Sequence, residues 1–170
     1  KNITTLVQAF SQFIVMNKSE ENIKLVCVGT FAYKKYKDTF FKLIETLGLS
    51  DKIIFIENAD DDELVKLIYH AKAMVIPSLY ETFGFMYVEG RLFDKPFIVA
   101  DTEVAREVTE GQCIYFKGED ASDLASKMMM ITTKDYFSLD YQIADAFYEE
   151  NSAKNLASFF KRCFDNVLSS

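Results

Sequence analysis

The chain has 170 residues, enough for one domain with a sizeable core, and 49% hydrophobic with 26% charged residues describes a globular chain. A net charge of −7 argues against a nucleic-acid partner, which needs clustered Lys and Arg to meet the phosphates. A single His argues against a His-built metal site or a Ser-His-Asp triad, and the three scattered Cys (27, 113 and 163) read as buried or free thiols of a reducing compartment. No signal peptide is seen, and no apolar run approaches the roughly 20 residues of a membrane-spanning helix. The expectation is a soluble, cytoplasmic protein, at most peripheral to a membrane.

Ile3, Leu6, Val7, Phe10 and Ile14 recur at helical spacing and predict an amphipathic helix over 3–17. The short apolar run 23–29 ends in Gly and reads as a buried strand. Lys34, Lys35 and Lys37 read as a solvated loop and helix start. Phe40, Leu43, Ile44 and Leu47 mark a second helix, stopped by Gly48. Residues 52–57 are a strand. The next helix has Asp60 as N-cap and Glu63 three positions on, as in a capping box. Residues 73–78 are a strand, 84–93 a helix, 96–101 a strand, 103–109 a short helix and 113–116 a last strand. Helices are predicted over 120–131, about 134–149, and 152–168.

Short apolar strands alternating with helices predict an α/β fold: a Rossmann-like parallel sheet with helices on both faces, read as one domain over 1–170. The chain opens inside a helix, whereas a wound α/β domain opens on a strand. The expectation is a sheet lacking its first strand. Either 23–29 and 73–78 then pair directly, or another segment fills the gap.

Ligands of open parallel sheets bind outside the carboxyl ends of the strands. There the strand 73–78 runs into Leu79-Tyr80-Glu81-Thr82-Phe83-Gly84, and a helix follows. Strand, Gly-containing turn and helix N-terminus together suit an anion, most often phosphate. On a helical wheel with Phe85 at zero, Val88, Leu92 and Phe93 form an apolar arc, and Glu89 falls at about 40° within it. A carboxylate there needs hydrogen-bond donors. A distant Lys or Arg could supply them. So could a vicinal diol, whose two hydroxyls one carboxylate can accept together. Phosphate at the helix start and a diol one turn in describe a nucleotide-sugar.

The block from Pro77 to Ala100, with Glu81 and Glu89 eight positions apart, resembles the E-x7-E segment of family 4 glycosyltransferases, the glycosyl transferases group 1. The likeness runs over about 1–130, through IKLVCVGT, LGLSDKIIFIE and ADTEVAREV. It implies the C-terminal, donor-binding half of a GT-B fold, with an N-terminal acceptor domain outside this chain. By the resemblance, Glu81 would contact hydroxyls of the transferred sugar and act as the catalytic carboxylate. Thr82 and the backbone amides of Phe83, Gly84 and Phe85 would hold sugar hydroxyls and phosphate, and Glu89 the ribose diol. Lys1, in the opening Lys-Asn, would neutralise the pyrophosphate, and the backbone at Asn58 and Ala59 would seat the nucleobase. The family needs no metal and no cofactor beyond its UDP- or GDP-sugar. Asp94 departs from the pattern, standing where the family usually has Gly.

The implied function is the donor domain of a retaining hexosyltransferase of polysaccharide biosynthesis, moving sugar to a glycan, lipid or other acceptor. The isolated domain would transfer nothing. Alternatives are a nucleotide-sugar 2-epimerase-like domain or a non-catalytic nucleotide-sugar-binding module. A glycoside hydrolase would need two carboxylates facing one bond, one with a raised pKa, and would not need a phosphate site. Asp60-Asp61-Asp62 read as an acidic helix start complementing the dipole, not as a metal motif. His70 reads as structural. The stripe Leu156, Phe159, Phe160, Cys163, Phe164 and Val167 reads as packing, with an exposed remainder that predicts self-association through the inter-domain surface.

Overall fold

The computed structural model describes residues 1–18, 22–82, 84, 86, 87, 95–109 and 111–132. The expected helices over 134–149 and 152–168, the C-terminal stripe, Cys163, and most of the expected helix 84–93 lie outside these residues. Helix α1 spans Ile3–Met16, β1 Leu25–Val28, α2 Lys34–Thr46, β2 Ile53–Ile56, α3 Asp61–His70 and β3 Met74–Ile76. Then follow β4 Phe97–Ala100, α4 Glu103–Thr109, β5 Ile114–Phe116 and α5 Ala121–Thr132. Each predicted element among the described residues is present, with ends shifted by a residue or two. This is the expected α/β architecture of parallel strands flanked by helices.

All pairings are parallel, but they form two sheets: β1 with β2, and β3-β4-β5. This corrects the expectation for the gap. β1 and β3 do not pair directly, and among the described residues no other segment is hydrogen-bonded between them. The two sheets are joined through side chains, because one core cluster takes residues from both.

The middle strand β4 is buried along its whole length. Period-two alternation sends Ile98 and Ala100 to one face and Phe97 and Val99 to the other. The first pair joins the main core, where α1 (Leu6, Val7, Phe10, Phe13) packs against α5 (Leu124, Ala125, Met128, Ile131). The second pair joins a smaller core with Ile76, Tyr87 and Ala105 of α4. In the other sheet, among the described residues, one face is covered and the other is open. Leu25, Cys27, Ile53 and Phe55 turn inward, and Phe31 stacks on Phe55 at 4.9 Å between ring centroids. Val26, Val28 and Ile54 alternate with them and stay 38–45% exposed. Burial pushes the Cys27 thiol up to about 11, so it is a packing group and not a nucleophile at neutral pH.

The local stops follow the sequence. Gly48 adopts φ 66° just past α2, as a C′ glycine does. The Asp60 side chain accepts from the Glu63 N–H at 2.8 Å and caps α3. Asp120 caps α5 in the same way, accepting from the Asp123 N–H at 2.9 Å. Two substitutions test this account by denaturant unfolding. Phe10→Ala is expected to cost about 3–5 kcal/mol through the cavity it leaves. Asp60→Ala should cost about 1 kcal/mol, because only the cap of an outlying helix is lost.

Candidate active site at the end of strand three

β3 stops because Pro77 has no N–H to continue the ladder. The chain then passes through Ser78, 3% exposed, and Tyr80, 92% exposed, to Glu81. The Glu81 carboxylate is 16% exposed and meets the Lys1 ammonium at 2.5 Å. Lys1 is carried there by the start of α1. Asn2 takes φ 56°, and its Oδ1 accepts from the Thr5 hydroxyl at 2.7 Å, which turns the chain into the helix. Burial alone would raise the Glu81 pKa. Hydrogen bonds from Lys1 and Ser78 and the Lys1 charge outweigh it and hold the carboxyl below its ordinary 4.5. Glu81 is therefore an anion at neutral pH. It cannot serve as the raised-pKa acid that a hydrolase requires.

Gly84 has φ 75°, and its carbonyl accepts from the Tyr87 N–H at 2.8 Å. A Cβ at this position would lie 2.2 Å from the Tyr87 ring. Both the backbone angle and the space demand glycine here. Tyr87 is wholly buried, with its ring edge-on to Phe97 at 6.2 Å. Burial pushes its phenol up, partly offset by the pull of the Thr102 hydroxyl. Its Oη makes no hydrogen bond of normal geometry among the described residues.

At the end of the neighbouring strand β4, Thr102 Oγ1 accepts from the Ala105 N–H at 3.1 Å. Asp101 holds Arg106 by two hydrogen bonds, at 2.6 and 2.8 Å, and the guanidinium lies over the Tyr115 ring at 4.6 Å. The Arg106 hydrogen bond lowers the Asp101 pKa.

The structure thus brings together Lys1 and Glu81, with Thr82 exposed beside them and Gly84 close behind. Asn58, in a left-handed conformation at φ 61°, and Ala59 follow β2 in the other sheet. No hydrogen bond links them to Lys1 or Glu81 among the described residues. Phe83, Phe85 and Glu89 lie outside the described residues. Sequence reasoning missed Ser78, Tyr87 and Thr102. Ser78 was visible in the Pro-Ser pair ending the strand, whereas nothing in the spacing marks the other two. Among the described residues no group of three or more His, Cys, Asp or Glu is placed to hold a metal, and no helix is long and apolar enough to cross a membrane. A hollow of about 310 Å³ lined by Phe41, Ile44, Glu45, Ser50, Ile53 and Phe55 lies at the start of β2, the opposite end of that strand from Asn58.

The profile of the family described as "Glycosyl transferases group 1" matches residues 1–157. The chain belongs to this family. A glycosyltransferase of Methanocaldococcus jannaschii, itself uncharacterized, is 29% identical over 71% of the chain and 30% of its own length. The O-antigen chain mannosyltransferase RfbU of Salmonella typhimurium is 30% identical over 65% of the chain and 30% of its own length. Among solved structures, Anabaena HepE in complex with UDP and glucose superposes over 98% of this chain and 44% of its own, with TM-score 0.72 and 18% identity. Sucrose-phosphate synthase from Thermosynechococcus elongatus covers all of this chain and 43% of its own, with TM-score 0.67 and 20% identity. The fold is that of a GT-B glycosyltransferase domain, and the chain spans less than half the length of these relatives.

The Lys1–Glu81 pair has a defined pH signature. Because the folded carboxyl titrates below its ordinary value, the stabilisation is complete above the ordinary carboxylate range and is lost as pH falls through the lowered value. An NMR titration of the Glu81 side-chain carboxyl in the wild type and in Lys1→Met should show a higher midpoint in the variant. Equal midpoints would mean that the ion pair does not form.

Proposed function

We propose that this glycosyltransferase domain is the donor-binding half of a retaining enzyme that takes a sugar from UDP- or GDP-sugar and passes it to a glycan or lipid acceptor. The observation that carries the reading is the meeting of Lys1 and Glu81, 80 positions apart in the chain, at the carboxyl end of β3 beside the glycine-only position 84. That is where an open parallel sheet holds its ligand.

Glu81, ionised and oriented by Ser78, would accept hydroxyls of the transferred sugar. Thr82 and the amides of Phe83, Gly84 and Phe85 would donate to sugar and phosphate oxygens. Lys1 would leave Glu81 for the pyrophosphate, Glu89 would take the ribose diol, and the backbone of Asn58 and Ala59 would face the base. As the bond from the anomeric carbon to the phosphate oxygen breaks, its electrons pass to the diphosphate. Lys1 and the amides then act where negative charge grows, so they are worth most in the transition state. The reading needs no metal. The acceptor would come through a second domain, and the reaction would run in the cytoplasm.

The UDP and glucose held by HepE and the mannosyl transfer named for RfbU support a hexose on a nucleoside diphosphate. Calorimetric titration of the chain with UDP and with GDP is expected to show one bound in preference to the other. Absence of binding by both to the folded chain would count against a donor site. In a full-length enzyme, Glu81→Gln should lower kcat/KM roughly 10- to 100-fold, as loss of a charge-assisted hydrogen bond does, and Glu89→Ala should weaken donor use at least as much.

A further inference from the structure

Helix α1 starts unlike α3 and α5. Asp60 and Asp120 each accept from an N–H of the first turn they precede, and Asp60 stands in extended backbone at φ −76° and ψ 171°, as a capping residue does. Asn2 holds the same position before α1, and Asn caps as well as Asp. It does not act as a cap. Its backbone is left-handed, at φ 56° and ψ 33°, and its side chain accepts from no N–H of the helix. Its Oδ1 accepts instead from the Thr5 hydroxyl at 2.7 Å, and Thr5 is buried. Its Nδ2 is buried without a hydrogen bond among the described residues. The start of α1 therefore forgoes a cap, takes a conformation that Gly and, less readily, Asn adopt, and leaves a buried donor unpaired. Such local strain persists where the surroundings fix it, and it gathers at functional sites. Its effect falls on the residue before. The φ of residue 2 is the rotation that aims residue 1, and Asn2 differs from Asp60 in that angle by more than a third of a turn. In the left-handed form the Lys1 ammonium meets Glu81, 80 positions on. The pair does not itself offset the strain, because the Lys1 side chain is mostly exposed and solvent screens it.

We propose that Asn2 is a positioning residue of the candidate site: its left-handed turn, held by the Thr5 hydroxyl, aims Lys1 at Glu81 across the end of β3. The residue serves the pair and not the helix, which an extended cap would serve better. Glycine takes the same backbone conformation without strain and alanine does not, so the two substitutions separate the turn from the side chain. That the pair holds a nucleotide-sugar rests on the reading above. The aiming of Lys1 does not depend on it.

The test uses the whole chain, and its first readout is the NMR titration midpoint of the Glu81 carboxyl, which Lys1 helps to hold down. In Asn2→Ala the midpoint should rise toward that of Lys1→Met, and in Asn2→Gly it should stay at the wild-type value. In the double variant Lys1→Met, Asn2→Ala it should rise little beyond Lys1→Met alone, because Asn2 acts through Lys1. A wild-type midpoint in Asn2→Ala would overturn the proposal. So would equal rises in the alanine and glycine variants, since the left-handed turn would then not be what matters, or a double variant in which the two rises add. The second readout is calorimetric affinity for UDP and for GDP. Asn2→Ala should bind the preferred nucleotide about 3- to 10-fold more weakly, the scale of one hydrogen bond lost, and Asn2→Gly should bind it as the wild type does. A raised midpoint with unchanged affinity would overturn the link between this turn and the donor. If the wild type bound neither nucleotide, the donor reading would fall, and the midpoints would still decide whether Asn2 places Lys1.

Discussion

The constraint on which the rest depends is the burial of β4 on both faces. A four-residue strand with no exposed side makes two cores at once, and each side chain belongs to one or the other by parity. On one face it supports the packing of α1 on α5. On the other it supports Tyr87 and α4. A one-residue slip would exchange the faces and place Phe97 in the α1–α5 core. β3 and β5 are held in register on either side of it. The ends of β3 and β4, and therefore the loops that carry Glu81 and Thr102, are fixed by the same packing.

Within that frame, charge does the work that burial makes costly. Burial would raise the Glu81 carboxyl, and Lys1 with Ser78 holds it below its ordinary value. The pair itself adds little to stability, because the Lys1 side chain is 61% exposed and solvent screens it. Its importance is orientation. It presents one anion and one cation together at a strand end.

Much of this was legible in the residues. The heptad-like spacing in α1, the apolar runs of the strands, Gly48 and the Asp60 cap each encode a local preference, and the structure follows them closely. Glu81 and Gly84 were legible because a carboxylate and a glycine turn directly follow an apolar strand. The division into two sheets was not legible. Whether β1 and β3 bond depends on the distance between backbones set by the packing around them, and no period in either strand records it. Tyr87 was hidden for a related reason. As a letter in an apolar stretch it looks like any core aromatic, and only its depth and its place against the glycine-only position 84 set it apart.

The order of the residues alone therefore settled the alternation of helices and strands and the family, and marked the block of chain that carries the candidate site. These rest on preferences that act over a few positions. Packing in three dimensions settled that Lys1 meets Glu81, that Gly84 lies against Tyr87, and that β4 is sealed on both sides. Such contacts join distant parts of the chain or depend on depth, and they exist only once the cores have closed.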